Sequence, residues 1–226
     1  MHPSSITLPA RHLVALLNLA GKRDVRYYLN GVFVEICNHE VIAVATDGCA
    51  LGALIGGSAK GEDGKPFAGN AQVIIPRIVL ERFKLSNKRG PDPEATLYPA
   101  GVGGEWILEI DAMRQNFVPV DGRFPQWRVV VPQDAAPAKC EPAQFDPNLL
   151  MKFFKLRRTL DPKERFPFPY LRHYGEEKSA RVMFKQRPDF VGVVMAIRSI
   201  DDEGRKFPPL PAWARAPGAQ PTAKAA

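Results

Sequence analysis

Asp47-Gly48 and Asp121-Gly122 are the first places where this chain could hold catalytic carboxylates. No paired acid, Ser/His/Asp set or Lys within a phosphate-binding loop accompanies either, and Asp-Gly is a common turn pair, so both read as structural. Gly101-Val102-Gly103-Gly104 lacks the strand-to-helix setting of a nucleotide fingerprint. The histidines His2, His12, His39 and His173 show no metal-ligand spacing. Cys37, Cys49 and Cys140 include no Cys-x-x-Cys pair, which leaves reduced thiols rather than a disulfide frame or a metal site. Neither an enzyme nor a cofactor is expected. The chemistry that remains is phosphate contact by Lys and Arg, which is independent of base sequence and sensitive to salt. A net charge of +7 and a pI near 9.4 bias the surface toward polyanions such as nucleic acid or an anionic membrane face.

The candidates for that contact are Arg77, Arg82, Lys84, Lys152, Lys155 and Arg158, off the apolar stripes of helical segments, together with Arg23, Arg26, Tyr27 and Tyr28. Taken singly, each cation reads first as a solvated face, and only as a set do they point to nucleic-acid contact. The tyrosines alternate along a strand-like run, which turns one of them toward the core, and either ring could stack on an exposed base.

The elements that position these residues repeat three times as a Pro-initiated helix followed by short strands. The first helix is expected from Pro9 to Lys22, with Leu13, Leu16, Leu17 and Ala20 on one stripe. Arg11, His12, Asn18 and Lys22 fall off it. Strands are expected at Val25 to Ile36, with a turn near Asn30-Gly31, and at Val41 to Thr46. The second unit opens on Val73-Ile74-Ile75 as a buried strand. A helix then starts at Pro76 and turns Val79, Leu80 and Phe83 inward, and strands follow at Thr96 to Tyr98, Trp106 to Ile110 and Asn116 to Val120. The third has Asp146 as N-cap, Pro147 at N1 and an apolar face of Leu149, Leu150, Phe153 and Phe154, with Lys152, Lys155, Arg157 and Arg158 outward. Its strands are expected at Tyr170 to Tyr174, Ala180 to Lys185 and Phe190 to Arg198, the last one central.

Three segments, Asp24-Val25-Arg26-Tyr27-Tyr28-Leu29-Asn30-Gly31, Ala45-Thr46-Asp47-Gly48 and Val120-Asp121-Gly122-Arg123-Phe124-Pro125, together resemble the middle domain of the beta subunit of bacterial DNA polymerase III. The resemblance to this DNA sliding clamp family is dense over Arg23 to Leu51 and Val120 to Pro132 and thinner over the third unit. It implies an α+β protein of the DNA clamp fold, with helices toward a central hole and sheets outside. Residues 1–132 form a complete domain of two units, 133–204 a half-domain, and 205–226 a flexible Pro/Ala-rich tail. The half-domain leaves an exposed sheet edge and is expected to need the same element from another chain.

The resemblance also implies a function. Such a protein encircles duplex DNA as a homo-oligomeric ring, a tetramer of three-unit chains or a trimer if a fourth unit exists. It acts as a processivity factor that tethers a DNA polymerase or accessory factor and is opened by a clamp loader. Arg23, Tyr27, Tyr28 and Arg77 match DNA-touching positions of the family. A pocket for a short linear peptide maps to Leu29, Thr46, Gly48, Leu51, Pro125, Val130, Val193 and Met195. At its rim, Cys49-Ala50-Leu51 stands where the family has His-Arg-Leu. That change gives either an altered peptide preference or former pocket residues serving as core. The Pro-rich Phe207 to Trp213 segment either lies in a groove or belongs to the tail.

A second reading is a clamp-derived protein that never closes a ring and binds DNA statically or modulates a resident clamp. Such compact versions would suit a phage, plasmid or other mobile element. No apolar run nears the roughly 20 residues of a spanning helix, and the start lacks the layout of a secretory signal, so no membrane partner and a cytoplasmic location are expected.

Overall fold

The computed structural model describes residues 3–37, 39–86, 92–101, 103–132, 143–175 and 178–197. The expected Phe207 to Trp213 groove segment and tail lie outside them. Chain order is β1 (Ser5–Pro9), α1 (Ala10–Leu16), β2 (Gly31–Cys37), β3 (Glu40–Thr46), β4 (Ala50–Ile55), β5 (Ser58–Lys60), β6 (Ala71–Pro76) and α2 (Arg77–Leu80). Then come β7 (Glu94–Pro99), β8 (Trp106–Ile110), β9 (Met113–Phe117), α3 (Pro147–Leu160), β10 (Tyr170–Arg172), β11 (Ala180–Met183) and β12 (Phe190–Val194).

The strands make two antiparallel sheets. One has the order β5-β1-β7-β8-β9, the other β10-β11-β12-β4-β3-β2-β6. The first two units exchange their leading strands: β1 pairs with β7, while β6 pairs with β2. The third unit joins the first through β12 and β4, with Val193 opposite Leu51. Its helix α3 packs beside α1.

The middle of the larger sheet, β2 to β4, is buried on both faces, which is why Val41-Ile42-Ala43-Val44-Ala45 reads as an unbroken apolar run rather than an alternation. Val32, Val34, Val41, Ala43, Ala45, Leu54 and Ile75 face the core that also holds α1 and α3. Phe33, Ile42, Val44, Leu51, Ala53, Ile74 and Val193 point the other way, into a second cluster closed by Leu29, Phe124 and Trp127. Each fully buried Leu or Ile here contributes on the order of 2 kcal/mol from apolar burial.

Helix α3 follows the expected start, its Asp146 carboxylate accepting from the Asn148 N–H. Its buried residues Phe153, Leu156, Arg157 and Leu160 recur at helical spacing, and the Phe153 ring meets Phe190 edge-on at 6.4 Å. Arg157 is therefore not outward as the stripe suggested. It is buried against Phe184 and pairs with Glu164 at 2.9 Å. Arg11 and His12 are likewise buried. The Arg11 guanidinium donates to Asp92, Ser86 O and Thr159 O, so a residue expected on a solvated face binds three segments together.

Several expected elements are shorter, among them β10, β11 and β12, which end at Arg172, Met183 and Val194 instead of Tyr174, Lys185 and Arg198. Helix α1 ends at Leu16 instead of Lys22, because one Arg77 nitrogen collects the carbonyls of Leu17 (2.9 Å), Ala20 (3.1 Å) and Gly21 (3.3 Å) and holds the chain in turns. The strand expected from Val25 begins only at Gly31. Before it, the Asn30 side chain bonds the Asp24 N–H and carbonyl, closing a loop that contains a one-turn 3-10 helix at Tyr27–Leu29. At Gly31 a Cβ would stand 2.4 Å from the Ile75 carbonyl oxygen, so only glycine fits where β2 enters beside β6. Helix α2 is a single turn, although Phe83 is still buried. The strand expected at Asn116 to Val120 lies earlier, at Met113–Phe117, after a turn in which Asp111 takes φ 52°.

Candidate functional site

Two surfaces meet at the turn between β3 and β4. The first is a cleft of about 550 Å³ between α1 and α3, whose lining includes Lys22, Asp47, Arg77, Lys152 and Lys155. Three predicted phosphate-contacting residues, Arg77, Lys152 and Lys155, thus come together, although their chemistry differs. Arg77 caps α1 and pairs with Glu81 at 2.7 Å. Lys152 donates to Asp47. Lys155 is exposed, as is Lys22, which falls off the first helix's expected stripe without being counted among the phosphate contacts.

The other predicted cations are not part of the cleft lining. Arg82 donates to Gln115, Lys84 is exposed, and Arg158 lies over the Phe154 ring at 5.9 Å while donating to the Glu164 carbonyl. Arg23 is exposed, with φ 57°.

The second surface lies on the far side of the sheet. The turn is closed by its own side chains: the Thr46 hydroxyl donates to Ala50 O at 2.8 Å and accepts from Gly48 N at 3.0 Å, while Asp47 Oδ1 accepts from the N–H groups of Cys49 and Ala50. Gly48 takes φ +92°, and a Cβ there would stand 2.7 Å from the Arg26 guanidinium. Arg26 is thereby held at this turn, donating to the Asp47 carbonyl and, at 2.7 Å, to the Asp24 carboxylate. That bond holds the Asp24 carboxyl down to about 2.

Of the predicted pocket residues, Leu29, Leu51 and Val193 share one buried cluster. Thr46 is buried at the adjoining turn, and the Met195 N–H donates to Cys49 O at 2.9 Å. Pro125, Val130, Met195, Gly48 and Cys49 are exposed around it, whereas Ala50 turns into the main core on the opposite face. Tyr27 and Tyr28 stand in the 3-10 turn rather than alternating on a strand. Tyr28 packs against the second cluster, and Tyr27 is exposed, meeting it edge-on at 5.8 Å.

The floor is anchored by a buried Glu35. It accepts from Arg128 at 2.6 Å and from the Trp127 indole at 3.3 Å, and the Arg128 guanidinium stacks on that indole at 4.3 Å. This fixes the one-turn 3-10 helix Trp127–Val130 and leaves Val129 and Val130 facing solvent. The exposed apolar surface that results suits a short peptide with apolar anchors. Among the described residues, no group of three or more His, Cys, Asp or Glu could hold a metal ion, and no helix is long and apolar enough to cross a membrane.

Asp47 links the two surfaces. Burial works to raise its pKa, but hydrogen bonds from Lys152 and from the Ala50 and Cys49 N–H groups outweigh burial and hold it below the ordinary carboxylate range.

No family model matches the chain. Among curated proteins, it is 37% identical over 113 residues to the beta sliding clamp of Vibrio cholerae, a match covering 49% of this chain and 28% of that protein. It is 35% identical over 127 residues to the beta sliding clamp of Pseudomonas putida, covering 54% and 32%. The matches to these curated relatives span about a third of the relatives' length. Among solved structures, a DNA polymerase sliding clamp from Pseudomonas aeruginosa superposes with a TM-score of 0.59 at 18% identity, over 88% of this chain and 68% of that one. The DNA polymerase III subunit beta of the same organism superposes equally well, at 0.59. The chain resembles beta sliding clamps over about half its length and has their fold.

Proposed function

We propose that this chain is a DNA sliding clamp, a processivity factor that surrounds duplex DNA as a homo-oligomeric ring and tethers a polymerase or accessory factor by a short linear peptide. The observation that carries this reading is the back-to-back arrangement around one continuous sheet. Cations line a cleft between α1 and α3 on one face, and exposed Val129, Val130 and Met195 lie by a buried apolar cluster on the other, with Asp47 between them. Such an arrangement separates nucleic-acid contact from partner contact. Lys22 and Lys155 would meet phosphate without reading bases, and Val130 and Met195 would meet peptide anchors. The work is binding, without catalysis. A clamp loader and a cytoplasmic location belong to the same reading, as does a division into a two-unit domain and a half-domain.

The test is duplex binding across a salt series. Wild-type affinity is expected to fall steeply with salt, and the double variant Lys22→Glu, Lys155→Glu to lose most of it while melting at the wild-type temperature. Unchanged affinity would count against the cleft as the DNA face.

A further inference from the structure

Phe166-Pro167-Phe168-Pro169-Tyr170 carries an aromatic ring at every second position. A residue before proline is held extended, which fixes Phe166 and Phe168, and an extended chain turns alternate side chains to opposite sides. Burial follows that alternation. Pro167 is buried and Pro169 half-buried, while Phe166, Phe168 and Tyr170 are 75%, 61% and 58% exposed. Both ends of the run are tied down: the Phe166 N–H donates to the Glu164 carboxylate at 3.0 Å, and Tyr170 begins β10, opposite Met183 of β11. The rings are thus displayed by a braced backbone, and contiguous exposed aromatic surface of this kind marks a binding face.

Helix α3 completes it. The Phe154 ring lies 6.0 Å from that of Phe168, and Arg158, one turn further on, sits 5.9 Å over Phe154. Charge is one-sided. From Phe154 to Arg172 the chain has six Lys and Arg against two acids, and both acids, Asp161 and Glu164, pair with the buried Arg157 at 3.6 and 2.9 Å. Arg158, Lys163 and Arg165 are left exposed among the rings. This face is separate from the cleft, which α3 lines with Lys152, Lys155 and Thr159, whereas Phe154 and Arg158 share another side of the helix.

We propose that this face binds single-stranded nucleic acid, with bases stacked on Phe166, Phe168 and Tyr170 and phosphates met by Arg158, Lys163 and Arg165. Cations interleaved with exposed rings are the combination that such strands require, since every base has a face to stack and every link a charge. The spacing agrees. Rings two residues apart on an extended chain stand about 6.6 Å apart, close to twice the roughly 3.4 Å per nucleotide of a stacked strand, which is the gap that admits one ring between successive bases. The proposal goes beyond the duplex reading of the cleft and does not depend on it.

The test is fluorescence anisotropy of a labelled oligothymidine of about 12 nucleotides, beside an abasic strand of equal length and a duplex. The wild type is expected to bind the oligothymidine about tenfold more tightly than the abasic strand, and Phe166→Ala and Phe168→Ala each to remove about that factor while leaving duplex affinity and melting temperature in place. The cleft variant Lys22→Glu, Lys155→Glu should keep its single-strand affinity, which separates failure here from failure of the duplex reading. An oligouridine run in parallel assigns the preferred strand as DNA or RNA. Equal affinity for thymidine and abasic strands, or single-strand affinity that survives both substitutions, overturns the proposal; a solution mass that falls in Phe168→Ala with that affinity unchanged overturns it in favour of a protein contact. Should the variants fold poorly, ultraviolet cross-linking of the wild type to oligothymidine decides: cross-links within residues 154–172 support the proposal, and cross-links confined to other segments contradict it.

Discussion

Lys152 on α3 donates to the Asp47 carboxylate, so a cation of the cleft is tied to the turn that shapes the opposite surface. Because the folded pKa of Asp47 is depressed, the stabilisation is present above its ordinary value of 3.8 and is lost as pH falls below that, through the folded value. Asp47→Asn is expected to destabilise the protein at pH 7 by about 1 kcal/mol. The gap between variant and wild type in denaturant melts should then close as the pH drops below the carboxylate range.

His12 gives a second pH signature. Burial first, and the Arg187 guanidinium second, push it down to about 4, against the pull of Asp189. Its 3.5 Å approach to Asp189 is therefore not an ion pair at neutral pH. The unfolded chain takes up this proton near 6.5 and the folded chain only near 4, so stability is full above 6.5 and declines as pH falls between those values. The loss is on the order of 3 kcal/mol. Replacing His12 with Gln should flatten the slope of unfolding free energy across that window; an unchanged slope would assign it to other groups.

Arg77 separates structure from function. Its guanidinium holds three carbonyls at the end of α1, so Arg77→Ala is expected to cost about 2 kcal/mol of stability. Any loss of duplex affinity in that variant should track the loss of folded protein, in contrast to the Lys22 and Lys155 variants, which should lose affinity while folded. Thermal melts run beside binding assays make the distinction.

For the exposed apolar surface, Val130→Asp and Met195→Asp alter exposed side chains and should weaken capture of a short peptide with apolar anchors at least tenfold without lowering the melting temperature. Leu51→Ser instead opens a cavity in the second cluster, and is expected to destabilise the chain by about 3 kcal/mol. Fluorescence anisotropy of a labelled peptide reads the first effect, denaturant titration the second.

Local patterns in the sequence carried much of the fold. Asp146-Pro147 marked the start of α3, Val73-Ile74-Ile75 marked β6, and the apolar run after Phe190 marked a central strand, because capping, proline and burial act over a few residues. Strand β1 was hidden. The Ile6 and Leu8 alternation before Pro9 supplies only two buried residues, too few to stand out beside a strong helical stripe. The fates of Arg11, Arg77 and Arg157 were not legible either, since an arginine off a stripe looks the same whether it meets solvent or a carbonyl from a distant segment. The candidate apolar site came from a motif, and three of its residues, Leu29, Leu51 and Val193, share one buried cluster. Ala50 did not, since neighbouring residues on a strand face opposite sides.

The most direct measurement of the central claim is retention on closed against linear duplex. Protein placed on a nicked circular plasmid, by itself at high concentration or with a clamp-loading complex, is separated from free protein before and after the circle is cut once. A ring around DNA is held by topology, so the protein should co-elute with the circle and leave once the ends are free. Equal retention on circle and linear duplex would contradict encirclement and show a protein that binds DNA statically.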